Sequence, residues 1–105
     1  KEEAATFPDN SREFIDRYNA ILEIGTMKKE ICVVSPLADM NKSDIVKLGQ
    51  ELGVPFELTN SCYEPVGIDE RGRPVHCGIC ESCMRRKRGF RQAGIDDPTV
   101  YRENG

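Results

Sequence analysis

Cys62, Cys77, Cys80 and Cys83 stand as Cys-x14-Cys-x2-Cys-x2-Cys. Two tight Cys-x2-Cys steps sharing Cys80 gather three thiolates around one point, and Cys62 supplies a fourth after a loop long enough to return. This is a ligand set for tetrahedral Zn²⁺, a borderline-soft ion that thiolates bind well. Four thiolates leave no open coordination position, so the expected role of the metal is structural. A disulfide framework is the competing use of cysteines. Residues 1–10 show no charged start, apolar stretch and small-residue cleavage site, so the thiols are expected to stay reduced in a cytoplasmic setting. An iron-sulfur run would continue after three residues with a further Cys and Pro, whereas position 87 is Lys. His76 abuts Cys77 as a substitute ligand, but neighbouring residues rarely both reach one ion. Cys32, in the run Ile31-Cys32-Val33-Val34, reads as a buried small hydrophobe.

Directly after the cysteines, Arg85, Arg86, Lys87, Arg88 and Arg91 face one acid, Glu81. An ion held by four thiolates keeps a net negative charge of about two, so part of this basic run is expected to neutralise it. The remainder is either a solvated helix face or a surface for RNA or phosphate.

The elements that must position these residues follow from the apolar spacing. Phe7-Pro8-Asp9-Asn10-Ser11 is a loop ending in helix-capping residues. Phe14, Ile15, Tyr18, Ile21 and Leu22 then draw one apolar stripe of a helix that Gly25 closes. Ile31 to Val34 is a β-branched run without alternation, which predicts a strand covered on both faces in a parallel sheet. Asn41 is a good N-cap for a second helix with Ile45, Leu48 and Leu52 inward, stopped by Gly53 and Pro55. Phe56 to Ser61 is expected to be extended. Asp69 to Pro74 is a hairpin-like surface excursion, and Cys80 to Ala93 is a helix ended by Gly94.

Two domains are expected: 1–55, part of an α/β layer, and 56–105, a four-cysteine zinc module with its helix. One strand cannot make a sheet. Together with a start at Lys1 rather than Met, this leads us to expect the C-terminal portion of a longer polypeptide.

At 105 residues, with 38% hydrophobic and 31% charged content, the chain has the composition of a globular protein with a modest core. No apolar run approaches membrane-spanning length. The net charge of −3 argues against wholesale coating of nucleic acid.

Three stretches carry a family resemblance. Ser61-Cys62-Tyr63, His76-Cys77-Gly78-Ile79-Cys80-Glu81-Ser82-Cys83, and Gly89-Phe90 followed by Ala93 to Tyr101 resemble the C-terminal end of the 7-cyano-7-deazaguanine synthase (QueC/ExsB) family. Pro36 to Ile45, with Leu48-Gly49 and Leu52-Gly53-Val54, resembles the same family's strand-to-helix passage. Phe7-Pro8-Asp9 with Arg12 and Phe14 resembles the segment before it. The cysteine portion is the specific part, because the Pro-Leu-x4-Lys portion recurs in related ATP pyrophosphatases.

The resemblance implies a doubly wound, parallel-sheet (HUP-like) α/β fold with a zinc-bound helical module. It implies an ATP-dependent ligase that converts 7-carboxy-7-deazaguanine and ammonia to the nitrile through adenylates, with ATP and Mg²⁺, a zinc held by the four cysteines, and a homodimer. Nucleic acid is not required. By the same resemblance Lys42, in a helix's first turn, faces the ATP phosphates; the plain alternative is a solvated lysine. Two departures stand out. The Ser-Gly-Gly-x-Asp-Ser loop of these enzymes is not among these residues, so this chain alone is expected neither to bind ATP well nor to catalyse. The Cys62 to Cys77 loop is also longer than in many members. The alternatives are a free-standing zinc module that binds RNA or a protein partner, and an ATP pyrophosphatase relative with another substrate.

Overall fold

The computed structural model describes residues 7–28 and 30–102. They fall into two compact units, divided between Asn41 and Lys42. The division falls ahead of the expected boundary between residues 55 and 56, because the second helix packs on the helix that carries Cys83.

In the first unit a 3₁₀ turn, Pro8–Asn10, leads into helix α1, Arg12–Gly25. Ser11 caps it: its hydroxyl accepts from the Phe14 N–H at 3.1 Å, which satisfies a backbone donor that the first turn leaves open. The expected apolar stripe is present, with Phe14 and Tyr18 stacked at 6.0 Å between ring centroids. Both rings and Ile21 are nevertheless exposed, since no described residue of this unit is buried around them.

The strand expected over Ile31 to Val34 does not form among the described residues, and Cys32 is exposed rather than buried. A strand covered on both faces needs strands beside it. What Val33 has is the Asn19 carboxamide, which donates to the Val33 carbonyl at 2.9 Å and accepts from the Val33 N–H at 2.7 Å. The segment thus gains one residue's worth of ladder bonding from a side chain. Arg12 and Asp39 form an exposed ion pair at 2.9 Å.

The second unit is built on two helices, α2 (Lys42–Glu51) and α3 (Glu81–Ala93), which pack against each other. α2 begins directly after Asn41, as expected. Val46 and Gly49 are its buried residues, Phe90 is buried on α3, and Phe56 meets Phe90 edge-on at 5.1 Å. Phe56 to Ser61 is not extended throughout: Phe56–Leu58 is a 3₁₀ turn in which the Leu58 N–H donates to the Pro55 carbonyl at 3.0 Å. The turn brings the Phe56 ring back over Gly49.

Between the first two cysteines the polar excursion is a hairpin. β1 (Gly67–Ile68) pairs antiparallel with β2 (Pro74–His76), Gly67 opposite Val75. Asp69 closes its turn by accepting from the Arg71 and Arg73 N–H groups, each at 2.9 Å, and from Arg73 Nε at 2.9 Å. The tail returns as β3 (Val100–Tyr101), parallel to β2 with Val75 opposite Val100. Among the described residues the sheet is therefore a three-stranded one in order β1-β2-β3 beside the cysteines. Among the described residues no helix is long and apolar enough to cross a membrane.

Candidate metal centre

The three clustered cysteines sit where a loop becomes a helix. Cys80 is the N-cap of α3, and its sulfur accepts from the Cys83 N–H at 3.4 Å. Gly78 takes the left-handed conformation, φ 80°, where a residue with a side chain is strained. That turn aims the Ile79 and Cys80 N–H groups at the Cys77 sulfur, at 3.5 and 3.3 Å. Cys62 arrives from the far side of the hairpin, and its sulfur accepts from the Glu64 and Cys77 N–H groups, both at 3.3 Å.

All four sulfurs lie within 4.8 Å of one another and could hold a metal ion. Cys77 and Cys83 approach to 4.0 Å, as do Cys62 and Cys80, roughly twice the ~2.05 Å of a disulfide bond. Cys62, Cys77 and Cys83 are buried, and Tyr101 packs against them. Backbone donors aimed at sulfur favour the thiolate, the form that binds metals. The Ile79 and Cys80 N–H groups hold the Cys77 thiol below its usual range. At Cys80 burial opposes ionisation, but the Tyr63 and Cys83 N–H groups and the neighbouring thiols outweigh it and bring the group to about 6. Burial dominates at Cys83 and pushes it up to about 12. A bound cation favours the thiolate form at each ligand.

His76 is not among the sulfurs' partners. It is fully buried, and its Nε2 accepts from the Ser61 N–H at 3.0 Å. Burial, then the Arg86 guanidinium, lowers its pKa and keeps the ring neutral.

The basic run is largely spent inside the fold. Arg85 pairs with Glu81. Lys87 donates to the Gly78 carbonyl at 3.0 Å and lies 4.6 Å from the Tyr101 ring centroid. Arg86 is only 6% exposed, with four neutral oxygens around its guanidinium: Thr99 Oγ1, Ser61 Oγ, the Phe56 carbonyl and Thr59 Oγ1, at 2.8 to 2.9 Å. Reading Arg86 as one of a basic surface run missed this. The signal was its spacing, since Cys83, Arg86 and Phe90 share one face of α3 at i, i+3 and i+7.

Lys42 does not meet the sulfurs. It opens α2 and lines a cavity of about 190 Å³ with Phe56, Ser61, Arg86 and Phe90 among its walls. The stem of Lys42 lies against Gly89 of α3. Ser61, the residue before Cys62, and Arg86, three residues after Cys83, thus both line this cavity.

Residues 1–94 match the family model described as "Queuosine biosynthesis protein QueC". A protein of Methanothermobacter thermautotrophicus named 7-cyano-7-deazaguanine synthase is 59% identical over 102 residues, 97% of this chain and 42% of that protein. Proteins of the same name from Pyrococcus horikoshii and Methanobrevibacter smithii are 52% and 50% identical, over 96% and 98% of this chain and 42% of each relative. The chain therefore spans less than half the length of these relatives. No solved structure matches it. With the four-cysteine cluster in place and the match running over residues 1–94, the chain belongs to the QueC family of queuosine biosynthesis proteins.

Proposed function

We propose that this chain is the C-terminal, zinc-bound part of an enzyme that converts 7-carboxy-7-deazaguanine and ammonia to 7-cyano-7-deazaguanine at the expense of ATP. The observation that carries this reading is 59% identity, over 97% of the chain, to a protein of that name. In the proposed sequence the substrate carboxylate attacks the α-phosphorus of ATP and releases pyrophosphate. Ammonia displaces AMP to give the amide. The amide oxygen attacks the α-phosphorus of a second ATP and releases a second pyrophosphate, and loss of AMP together with the two amide protons leaves the nitrile.

The residues of this chain serve that reaction in two ways. Cys62, Cys77, Cys80 and Cys83 hold one Zn²⁺, whose ideal tetrahedron at ~2.3 Å per bond sets sulfurs about 3.8 Å apart. The 4.0 Å separations of Cys77 from Cys83 and Cys62 from Cys80 are close to that value. Lys42 faces the ATP phosphates and stabilises the departing pyrophosphate. Residues 1–55 belong to the doubly wound ATP pyrophosphatase domain, which supplies the ATP loop, binds Mg²⁺ with ATP and forms a cytoplasmic homodimer. The 105 residues alone, lacking Ser-Gly-Gly-x-Asp-Ser, are inactive. The RNA-binding alternative loses support because Arg85, Arg86 and Lys87 are engaged within the fold.

The test is the full-length polypeptide encoded with this chain, incubated with 7-carboxy-7-deazaguanine, ammonium and Mg-ATP and followed by mass spectrometry. Nitrile with AMP and pyrophosphate is expected. Hydrolysis of ATP with the acid unchanged would overturn the substrate assignment.

A further inference from the structure

We propose that Gly89 is a positioning residue for Lys42, a role that rests on the reading of Lys42 as the phosphate-facing cation. Gly89 is buried within α3, and it is absent from the glycines with positive φ, so its backbone does not call for glycine. Space does. A Cβ at this position would stand 2.6 Å from Lys42 Cγ, 3.1 Å from its Cβ and 3.4 Å from its carbonyl carbon. Carbon atoms prefer about 3.5 to 4.0 Å, so no side chain fits unless the lysine moves.

The contact falls at the root of the lysine arm. A clash at the far end of a flexible chain relaxes cheaply. Here the Cγ methylene is blocked, and relief needs either a rotation about Cα–Cβ or a shift of the first turn of α2. Each carries the ammonium away through the three bonds beyond Cγ. The surface that Gly89 offers is itself held, because α3 is capped by Cys80 and is tied through Arg86 to Phe56, Thr59 and Ser61. The metal centre thereby acts on Lys42 at a distance: it fixes the helix whose bare patch sets the course of the lysine stem. Glycine inside a helix is otherwise unfavourable relative to alanine, and the close approach accounts for it.

The test is a double-mutant cycle on the full-length polypeptide, with Gly89→Ala, Lys42→Ala and both together, read as kcat/KM for ATP, KM for 7-carboxy-7-deazaguanine and metal content. Gly89→Ala is expected to lower kcat/KM for ATP by roughly 100-fold, the scale of a 1 Å misplacement, with metal content and the other KM unchanged. In the Lys42→Ala background the same change is expected to cost less than about twofold, since the blocked methylene is gone. Additive losses overturn the proposal. Full activity of Lys42→Ala alone is a separate result, which removes the phosphate reading and the proposal with it. Should Gly89→Ala fail to fold, restored folding in the double variant supports the contact, and no restoration overturns it.

Discussion

Arg86 Nη1 donates to Ser61 Oγ at 2.9 Å, which joins the helix that carries Cys83 to the residue immediately before Cys62. The remaining nitrogens of the same guanidinium reach Thr99, Thr59 and the Phe56 carbonyl. A planar fork can serve four oxygens spread around a plane, and an ammonium cannot.

Arg86→Met is therefore expected to destabilise the second unit by about 3 kcal/mol or more, because buried oxygens lose donors at 1.5 to 3 kcal/mol per charge-assisted bond. Arg86→Lys should fall between that variant and the parent. Urea unfolding followed by circular dichroism checks both, and a midpoint unchanged in Arg86→Met would refute the assignment.

Metal removal should undo more than the site itself. Elemental analysis is expected to give about one zinc per chain, and loss of Cys80 as ligand, in Cys80→Ser, should melt the segment from Cys62 to Gly94, since ligand binding supplies folding free energy directly. Loss of ellipticity on adding a chelator is the readout. A brown protein with visible absorbance would point to an iron-sulfur cluster instead.

At Gly49 an added methyl group meets the Phe56 ring. Alanine gains up to about 1 kcal/mol of helix propensity. The overpacking costs about 1 to 3 kcal/mol and sets the sign, so Gly49→Ala should lower the melting temperature. Adding Phe56→Leu should recover part of the loss.

The hairpin turn should open in acid. The Arg73 N–H, against burial and with help from the Arg71 N–H and the Arg73 guanidinium, holds the Asp69 carboxyl below its ordinary 3.8. A depressed folded-state pKa means that the carboxylate supports the turn fully above the ordinary value, and that this support is lost as pH falls through the depressed one. Amide exchange at Arg71 and Arg73, compared at matched intrinsic rates, should accelerate on acidification below the ordinary carboxylate value in the parent and show no such step in Asp69→Asn.

What was legible in the sequence was local. The Cys77, Cys80 and Cys83 spacing, the Gly94 stop and the Asp69 to Pro74 turn each need only a few neighbours, and each is found where the spacing puts it. The strand over Ile31 to Val34 needed neighbours that the described residues do not provide, so the same composition yields an extended segment and an exposed Cys32. The tail strand was missed because Val100 pairs with Val75 across a long separation, with no turn between them to announce it. Arg86 was misread for a related reason: charge suggested surface, whereas its four acceptors come from two separate segments, Phe56 to Ser61 and Thr99.

The hairpin between Cys62 and Cys77 also bears on how freely this loop can change length. Its stem, not its tip, returns the chain to Cys77, so the entropy of closing the four-sulfur ring is fixed by Val66 to Ile68 against Pro74 to His76. Residues added beyond the stem, between Asp69 and Arg73, lengthen a loop that is already closed, and each doubling costs only ~0.6 kcal/mol. Length variation among relatives is thus expected to accumulate at that tip, leaving the spacing of Cys77, Cys80 and Cys83 untouched.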